Sequence, residues 1–446
     1  RHPAARYAGA LGLLVPLLVY VYYILIESWC VRYALIYAFG GVDLGATTAE
    51  QVSRSAGIFT QVSGSGADGA LFTTLLNPSL ACWLAVLVIN TWILRRGLSG
   101  GIEFFCKWAM PAMAVCAVIV LARVLTLGAP DPSHPEREVL TGLGFMWNPD
   151  FSKLADFDTW VAAAGQIFFS LSVGFGVIIN YASYLRRKDD LVLSSLTASA
   201  TNELFEVVFG GLITVTAAFV FLGGEGATGG TFGLGFNTMP VVFLHMGALG
   251  RLIGATWFFM LFLAAITSSL SMLQPVKAFV EEALRIPPGR AAYVVAAFTG
   301  LGSLGVAWFS SGLLVLDTLD FWVGTFAILL MALVQTILFG WVLGVKRGLA
   351  EAHEGSRMRI PRPFGFIIKY VSPLYLVVII VGFGFQALPG YVSSLVHHKA
   401  AGVTVLLILA VTAGLMILIR LSGRVEPGPP GESPEPAMDA GMEAEA

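Results

Sequence analysis

Residues 166–176 combine side chains that are unusual in the middle of an apolar segment. Gln166 is followed by Phe-Ser-Leu-Ser-Val-Gly-Phe-Gly at 169–176, inside an apolar run that covers residues 160–184. Hydroxyls beside paired glycines are typical of a membrane helix that stops and restarts, where unpaired carbonyls and helix ends bind cations and anionic groups. A glycine pair that only allows close helix packing is the alternative. We predict an interruption between Ser170 and Gly176.

A second group of oxygen atoms follows one face of the apolar segment 252–284. Ala264, Thr267, Ser268 and Ser271 have the i, i+3, i+4, i+7 spacing, which places three hydroxyls along one helical stripe. Sodium is a hard cation that prefers oxygen ligands, so such a face could hold one. Ser and Thr also bond back to their own helix, and the sequence leaves both interpretations open.

A carboxylate stands one helical turn after an amide in the apolar segment 192–222. Glu206 follows Asn202, with Ser195 and Ser199 on the same side. A charged side chain at the centre of a membrane helix costs about 2.5 to 3.5 kcal/mol, so Glu206 must face protein or water. A structural salt bridge is one explanation, but the central parts of neighbouring spans contain no Lys or Arg. A functional carboxylate is the interpretation that we favour.

The first apolar segment places an aromatic hydroxyl among apolar side chains. Val19, Tyr23, Ile26 and Glu27 share one helical face. This arrangement is typical of a pocket that holds one polar end of a small ligand. An interfacial aromatic belt is the alternative for Tyr22 and Tyr23, although Tyr23 lies too deep for it.

The elements that position these residues are membrane-spanning helices. The chain of 446 residues is 57% hydrophobic and 12% charged, against about 25% charged residues in a typical soluble domain, and its mean hydropathy is +0.80. Continuous apolar runs of this length fit helices that cross a bilayer and do not fit the alternating segments of a β-barrel. We predict an all-α membrane protein with ten spans, near residues 8–38, 78–95, 102–127, 160–184, 192–222, 252–284, 291–309, 313–344, 365–388 and 400–421.

Charge and cysteine usage limit the partners and the orientation. The net charge of −2 and the absence of a basic face argue against nucleic acid as a partner. The four cysteines fall inside apolar runs and are expected to be packing thiols. Lys and Arg are concentrated on alternate connections, as in 185–188 and 346–362, which predicts cytoplasmic termini. Residues 1–423 would form the transmembrane domain and 424–446 a disordered cytoplasmic tail, while the glycine-rich segment 223–236 would be a flexible outer loop.

The polar residues, in this order, resemble the neurotransmitter:sodium symporter family, and its bacterial amino-acid members most closely. The resemblance rests on Tyr-Tyr at 22–23 with Ile-Glu-Ser-Trp at 26–29, on residues 165–176, on Asn-Glu at 202–203, and on Thr-Ser-Ser at 267–269 with Gln-Pro at 274–275. It extends over nearly the whole chain up to the tail. It implies an inverted-repeat, leucine-transporter-like helical bundle in the cell (inner) membrane.

The resemblance also implies roles for individual residues. The residues implied to bind the substrate, with Tyr23 on its carboxylate, are Val19, Tyr23, Ile26, Phe169, Ser170, Ser172, Phe175, Ser268 and Met272. The sodium ligands would be Ser170 and Asn202 at one site and Ala264, Thr267 and Ser268 at the other. The gate residues would be Gln166 and Asp320 on the outer side and Tyr184, Gln274 and Glu282 on the inner side. Glu206 would replace the chloride ion of chloride-dependent relatives.

The implied function is sodium-coupled symport of a small hydrophobic amino acid by alternating access, with sodium as the coupling ion and no organic cofactor. The alternative is a proton-coupled amino-acid transporter of a related broken-helix superfamily, with Glu206 carrying the proton. The chain begins with Arg1 at a position that matches the loop after the family's second helix. The resemblance therefore predicts twelve spans in a complete protein, of which the first two precede Arg1, and no transport by the chain as given. A homodimer is possible, and an enzyme is not expected because the sequence lacks a His-Glu-x-x-His motif and clustered histidines.

Overall fold

The structure is a computed structural model that describes residues 5–74, 76–129, 134–155, 157–186, 188–227, 232–386 and 388–422. The predicted tail 424–446 lies outside the described residues. In chain order the described α-helices are α1 (Ala5–Phe39), α2 (Thr48–Ser63), α3 (Pro78–Arg95), α4 (Phe104–Leu125), α5 (Val139–Trp147), α6 (Phe157–Ser170), α7 (Val177–Ala182), α8 (Leu191–Glu203), α9 (Leu212–Ala227), α10 (Met239–His245), α11 (Gly250–Leu284), α12 (Pro288–Trp308), α13 (Leu314–Leu319), α14 (Ile328–Ile337), α15 (Val345–Ala352), α16 (Arg362–Phe366), α17 (Ser372–Gln386), α18 (Leu388–His397) and α19 (Lys399–Ser422).

The helical segments confirm the predicted all-α membrane fold. Short π-helical turns join several consecutive α-helices end to end, for example Leu204–Gly211 between α8 and α9. The segments of the described chain that are long and apolar enough to cross a membrane number nine. They are Gly9–Phe39, Pro78–Arg95, Leu98–Leu125, Leu191–Gly224, Gly247–Leu284, Pro288–Trp308, Ser311–Ala352, Arg362–Gln386 and Lys399–Ser422. The tenth predicted span, 160–184, is divided between α6 and α7.

Helix α1 forms the centre of the bundle. It packs against α3, α11, α12 and α19, and 72% of its most apolar window is buried, against 17% for α19. Tyr20, Tyr22 and Tyr33 are each at most 2% exposed. A helix that is apolar all round has no face to give to solvent or lipid, so it takes the position surrounded by other helices.

A chain of hydrogen bonds ties three of these helices together. Asn90 on α3 donates from Nδ2 to Glu27 Oε1 on α1 at 3.0 Å, and the Ser269 hydroxyl on α11 donates to Asn90 Oδ1 at 2.8 Å. All three side chains are fully buried. Buried polar groups without partners are costly, so this chain of bonds, which we call the three-helix tie, fixes the register of α1, α3 and α11.

The glycine-rich segment does not form the flexible loop that was expected, at least in the part that the structure describes. Gly233–Thr238 is a helical turn, and Phe236 is buried. Its ring packs edge-to-face on Trp29 with centroids 6.0 Å apart and is stacked with Phe59 at 5.5 Å. Burial of the aromatic ring stabilises a helical conformation that the glycines alone disfavour.

Candidate functional site

The predicted helix interruption is confirmed. Helix α6 ends at Ser170 and α7 begins at Val177. Between them Ser172, Gly174 and Gly176 have φ values of 54°, 87° and 73°, which lie in the left-handed region that ends a right-handed helix. The connecting segment therefore leaves carbonyl groups outside the regular helical ladder at the middle of the span.

Two glycines are required here because the backbone of other elements approaches closely. A Cβ on Gly174 would lie 2.7 Å from the carbonyl oxygen of Ile328 on α14. A Cβ on Gly176 would lie 2.2 Å from the carbonyl oxygen of Gly12 on α1. Each of these positions requires glycine for two reasons, because its φ is positive and because there is no room for a side chain. The alternative interpretation of the glycine pair, close packing, is therefore also correct.

Glu206 is the centre of a polar cluster beside the interruption. Its carboxylate accepts hydrogen bonds from the Gln166 side-chain amide and the Ser170 hydroxyl. Asn202 Nδ2 donates to Ser170 Oγ at 2.6 Å and to Glu206 Oε2 at 3.3 Å. The donors thus come from α6 and from Glu206's own helix, whereas Ser195, which was expected near the carboxylate, is exposed.

The hydroxyls of α11 bond back to their own helix. Thr267 Oγ1 and Ser268 Oγ donate to the carbonyl oxygen of Ala264 at 2.9 and 3.2 Å, and Ser271 Oγ donates to the carbonyl oxygen of Thr267 at 3.0 Å. A hydroxyl that donates a hydrogen bond keeps oxygen lone pairs that can coordinate a cation. Local bonding of this kind is therefore compatible with cation binding by the same oxygens.

One cavity collects several of the predicted site residues. It has a volume of about 900 Å³ and lies between α1, α4, the helices around Glu206, and α11. The predicted residues on its wall are Tyr23, Ile26, Asn202, Glu206, Ala264, Thr267 and Ser268. Apolar and aromatic side chains such as Phe205, Phe209 and Met260 complete the wall. A largely apolar cavity with a few convergent polar groups is the usual form of a small-molecule site.

The other predicted pocket residues do not form part of this cavity wall, as far as the described residues define it. Val19, Phe175 and Met272 are at most 5% exposed and belong to the core. Phe169 packs edge-to-face on Phe175 across the interruption, with centroids 5.4 Å apart. Ser172 lies in the connecting segment itself. Their role in substrate binding stays a prediction.

The predicted gate residues have partners that the sequence did not indicate. The Tyr22 hydroxyl donates to Asp320 Oδ1 at 2.6 Å, so Tyr22 is a buried partner of a carboxylate and not part of an interfacial belt. Gln274 Nε2 donates to the Tyr184 hydroxyl at 3.2 Å, which brings two predicted inner-gate residues together, while Glu282 is exposed near the end of α11. The signal for Tyr22 was available, because a carboxyl group within an apolar span requires a partner.

Comparison with known proteins gives consistent matches. The sequence profile of the "Sodium:neurotransmitter symporter family" matches residues 64–425. An uncharacterized sodium-dependent transporter of Haemophilus influenzae is 28% identical over 388 residues, which cover 84% of this chain and 78% of the relative. A sodium-dependent nutrient amino acid transporter 1 of Drosophila grimshawi is 24% identical over 316 residues, 68% of this chain and 46% of the relative.

A solved structure has a similar fold over most of the chain. The crystal structure of MhsT in complex with L-phenylalanine superposes with a TM-score of 0.68 at 25% sequence identity, covering 84% of this chain and 80% of that chain. The fold, the interrupted helix and the sequence profile, which spans most of the chain, lead to one assignment. The chain belongs to the sodium:neurotransmitter symporter family.

Proposed function

We propose that this member of a family of sodium-coupled transporters carries out symport of a hydrophobic amino acid with sodium by alternating access. The observation that carries the proposal is the cavity shared by Tyr23, Glu206 and Ser268 next to an interrupted helix. Charged or zwitterionic substrates need pre-formed polar groups inside a membrane, because water is not there to solvate them. The interruption and the polar cluster supply such groups at one place.

The proposed sodium ligands form two groups, which lie on different helices. One contains Ser170 and Asn202, which are hydrogen-bonded to each other at 2.6 Å. The other contains Ala264, Thr267 and Ser268 on the face of α11 that lines the cavity. In both groups the ligands of the sodium ion would be neutral oxygen atoms, so a nearby carboxylate is needed to offset the charge of the ion. Glu206 lies beside the first group and provides this carboxylate.

The proposed substrate contact is the hydroxyl of Tyr23. It lies at the cavity wall beside Ile26, and its neighbourhood includes the Ser268 hydroxyl. A substrate carboxylate would accept from the Tyr23 hydroxyl in a charge-assisted bond, and the apolar wall suits a hydrophobic side chain. The similar MhsT structure contains L-phenylalanine, which supports a neutral, hydrophobic amino acid as the substrate class.

The test is uptake by the protein in proteoliposomes, expressed from its gene with any coding sequence that precedes Arg1. A panel of radiolabelled amino acids is offered in two arms. The first has an inward sodium gradient with the same pH on both sides of the membrane, and the second has an inward proton gradient and no sodium. We expect accumulation of one or more hydrophobic amino acids with the sodium gradient alone. Accumulation driven by the proton gradient without sodium would favour the proton-coupled alternative, with Glu206 as the proton carrier.

We further propose that both termini of this multi-pass membrane protein are cytoplasmic and that it resides in the cell (inner) membrane. The support is the concentration of Lys and Arg at one set of helix ends, for example Arg95 and Arg96 at the C-terminal end of α3 and Lys346 and Arg347 in α15.

A further inference from the structure

A recess of about 380 Å³ opens on the lipid-facing surface of the helical bundle, away from the candidate site. It lies between the C-terminal end of α3, the first half of α4 and α11. Its walls are formed largely by aromatic side chains, among them Trp92, Phe104, Trp108 and Phe259, which are between 45% and 66% exposed. Side chains exposed in this part of a membrane protein face lipid.

The recess exists because small residues form its floor. A Cβ on Gly101 would lie 2.2 Å from the carbonyl oxygen of Ile93, so only glycine allows the connection between α3 and α4 to fold back so closely. Gly100, Ala109 and Ala112 leave the remaining space unfilled. The floor of the recess is therefore built by the backbone and by small residues.

Arg96 is the one charged residue among the described residues that line the recess. Its guanidinium lies 3.9 Å from the centre of the Trp92 ring, and no acidic side chain in the described part of the chain forms an ion pair with it. Arg95 differs, because its Nη1 donates to the Tyr293 hydroxyl at 3.1 Å. The planar guanidinium presents donors that match the oxygens of a phosphate.

We propose that this recess binds one anionic phospholipid, with its phosphate at Arg96 and an acyl chain along the aromatic wall. The surface combines an apolar concavity at membrane depth with a cation at its rim, which is complementary to an amphiphile of this charge. Basic pockets between membrane helices on the cytoplasmic side are suited to anionic head groups. A zwitterionic lipid also carries a phosphate, but its own cation offsets the attraction. The proposal does not depend on the transported substrate.

The test is native mass spectrometry of the purified, delipidated protein in detergent, titrated with phosphatidylglycerol or with phosphatidylcholine of the same acyl chains. One basic side chain near a lipid surface contributes about 1 kcal/mol, which corresponds to roughly a fivefold difference in affinity. We expect the first bound phosphatidylglycerol to bind about fivefold more tightly than phosphatidylcholine, and Arg96→Gln to abolish this preference. Arg95→Gln, which removes the same charge from the neighbouring residue, should leave the preference unchanged.

A second variant tests the apolar part of the recess. Ala112 is exposed, so Ala112→Trp should fill the concavity without disturbing the core, and we expect it to weaken the first binding event for both lipids. The thermal unfolding midpoint of each variant checks that it is folded. Equal binding of the two lipids by the unsubstituted protein, or equal losses for Arg95→Gln and Arg96→Gln, would show that Arg96 does not form a specific site and would overturn the proposal.

Discussion

The carboxylate of Glu206 receives hydrogen bonds from Gln166, Ser170 and Asn202. These donors hold the carboxylate in place next to a proposed sodium site. A unit negative charge about 7 Å from a sodium ion contributes about 2.4 kcal/mol at an effective dielectric constant near 20. A free-energy difference of this size changes sodium affinity more than tenfold, so the carboxylate can perform the function of a bound anion.

Replacement of Glu206 by Ser should therefore make transport depend on chloride. Uptake by the unsubstituted protein in proteoliposomes is expected to be the same in chloride and in gluconate, whereas Glu206→Ser should transport well only in chloride. Sodium dependence is measured in parallel to show that the variant still couples to sodium. Equal uptake by Glu206→Ser in both anions would show that the carboxylate does not replace chloride.

The Tyr23 hydroxyl should contribute directly to substrate affinity. Tyr23→Phe is expected to weaken amino-acid binding by about 1 to 3 kcal/mol, because a buried carboxylate loses a charge-assisted partner. The measurement is equilibrium binding of the labelled substrate in sodium buffer. Tyr20→Phe is the matched control on the same helix, since the buried Tyr20 hydroxyl has no hydrogen-bond partner among the described residues. Equal affinities for Tyr23→Phe and Tyr20→Phe would move the substrate contact elsewhere.

At this scale the sequence indicated residue types better than partners. Asn202 and Glu206 were recognised as neighbours because helical spacing is a local property. The bonds from Gln166 to Glu206 and from Tyr22 to Asp320 join residues 40 and 298 positions apart. Such pairs depend on how helices cross and on the direction of the chain after the interruption, and neither follows from the spacing of residues.

Among the elements, the interruption between α6 and α7 depends on glycine at 176. Gly176→Ala would introduce a Cβ at positive φ and 2.2 Å from the Gly12 carbonyl oxygen. The backbone conformation costs about 1 to 2 kcal/mol for an L residue, and overpacking adds about 1 to 3 kcal/mol. We expect a clear decrease of the thermal unfolding midpoint in detergent.

The control for this variant separates the cost of the backbone conformation from the cost of the steric contact with α1. Gly247 also has positive φ, at 66°, but a Cβ there would meet nothing within 4 Å. Gly247→Ala should therefore lower the midpoint by the conformational part alone and less than Gly176→Ala does. Equal decreases would mean that the approach of α7 to α1 does not limit the residue at position 176.

The long apolar elements were predictable, and the short outer ones were missed although a signal existed. Helix α2 was not expected within the connection 39–77. Thr47 and Glu50 have the spacing of a capping box, and the Thr47 hydroxyl does accept from the Glu50 backbone N–H at 3.3 Å. Gly64 ends the helix in the left-handed conformation. Membrane spans were found by hydropathy, which does not detect a helix of mixed polarity.

For the molecule as a whole, the proposed orientation predicts which exposed positions face the outside. Ser53 on α2 and Ala350 on α15 are both exposed and lie on connections assigned to opposite sides. In a variant whose native cysteines are replaced, an impermeant maleimide added to intact cells should label Ser53→Cys and should label Ala350→Cys only after permeabilisation. The reverse pattern would invert the orientation. The native cysteines to replace are Cys30, Cys82, Cys106 and Cys116.

The three-helix tie of Glu27, Asn90 and Ser269 has a mechanical consequence. A shift of α11 by one helical turn relative to α1, about 5.4 Å, would break bonds on either side of Asn90 and leave a buried carboxyl group without its partner. The cost of several kcal/mol is large compared with thermal energy of about 0.6 kcal/mol. The three helices must then move as one rigid frame. The junction between α6 and α7 lacks continuous helical hydrogen bonding. It is the place where the rest of the helical bundle can hinge against that frame.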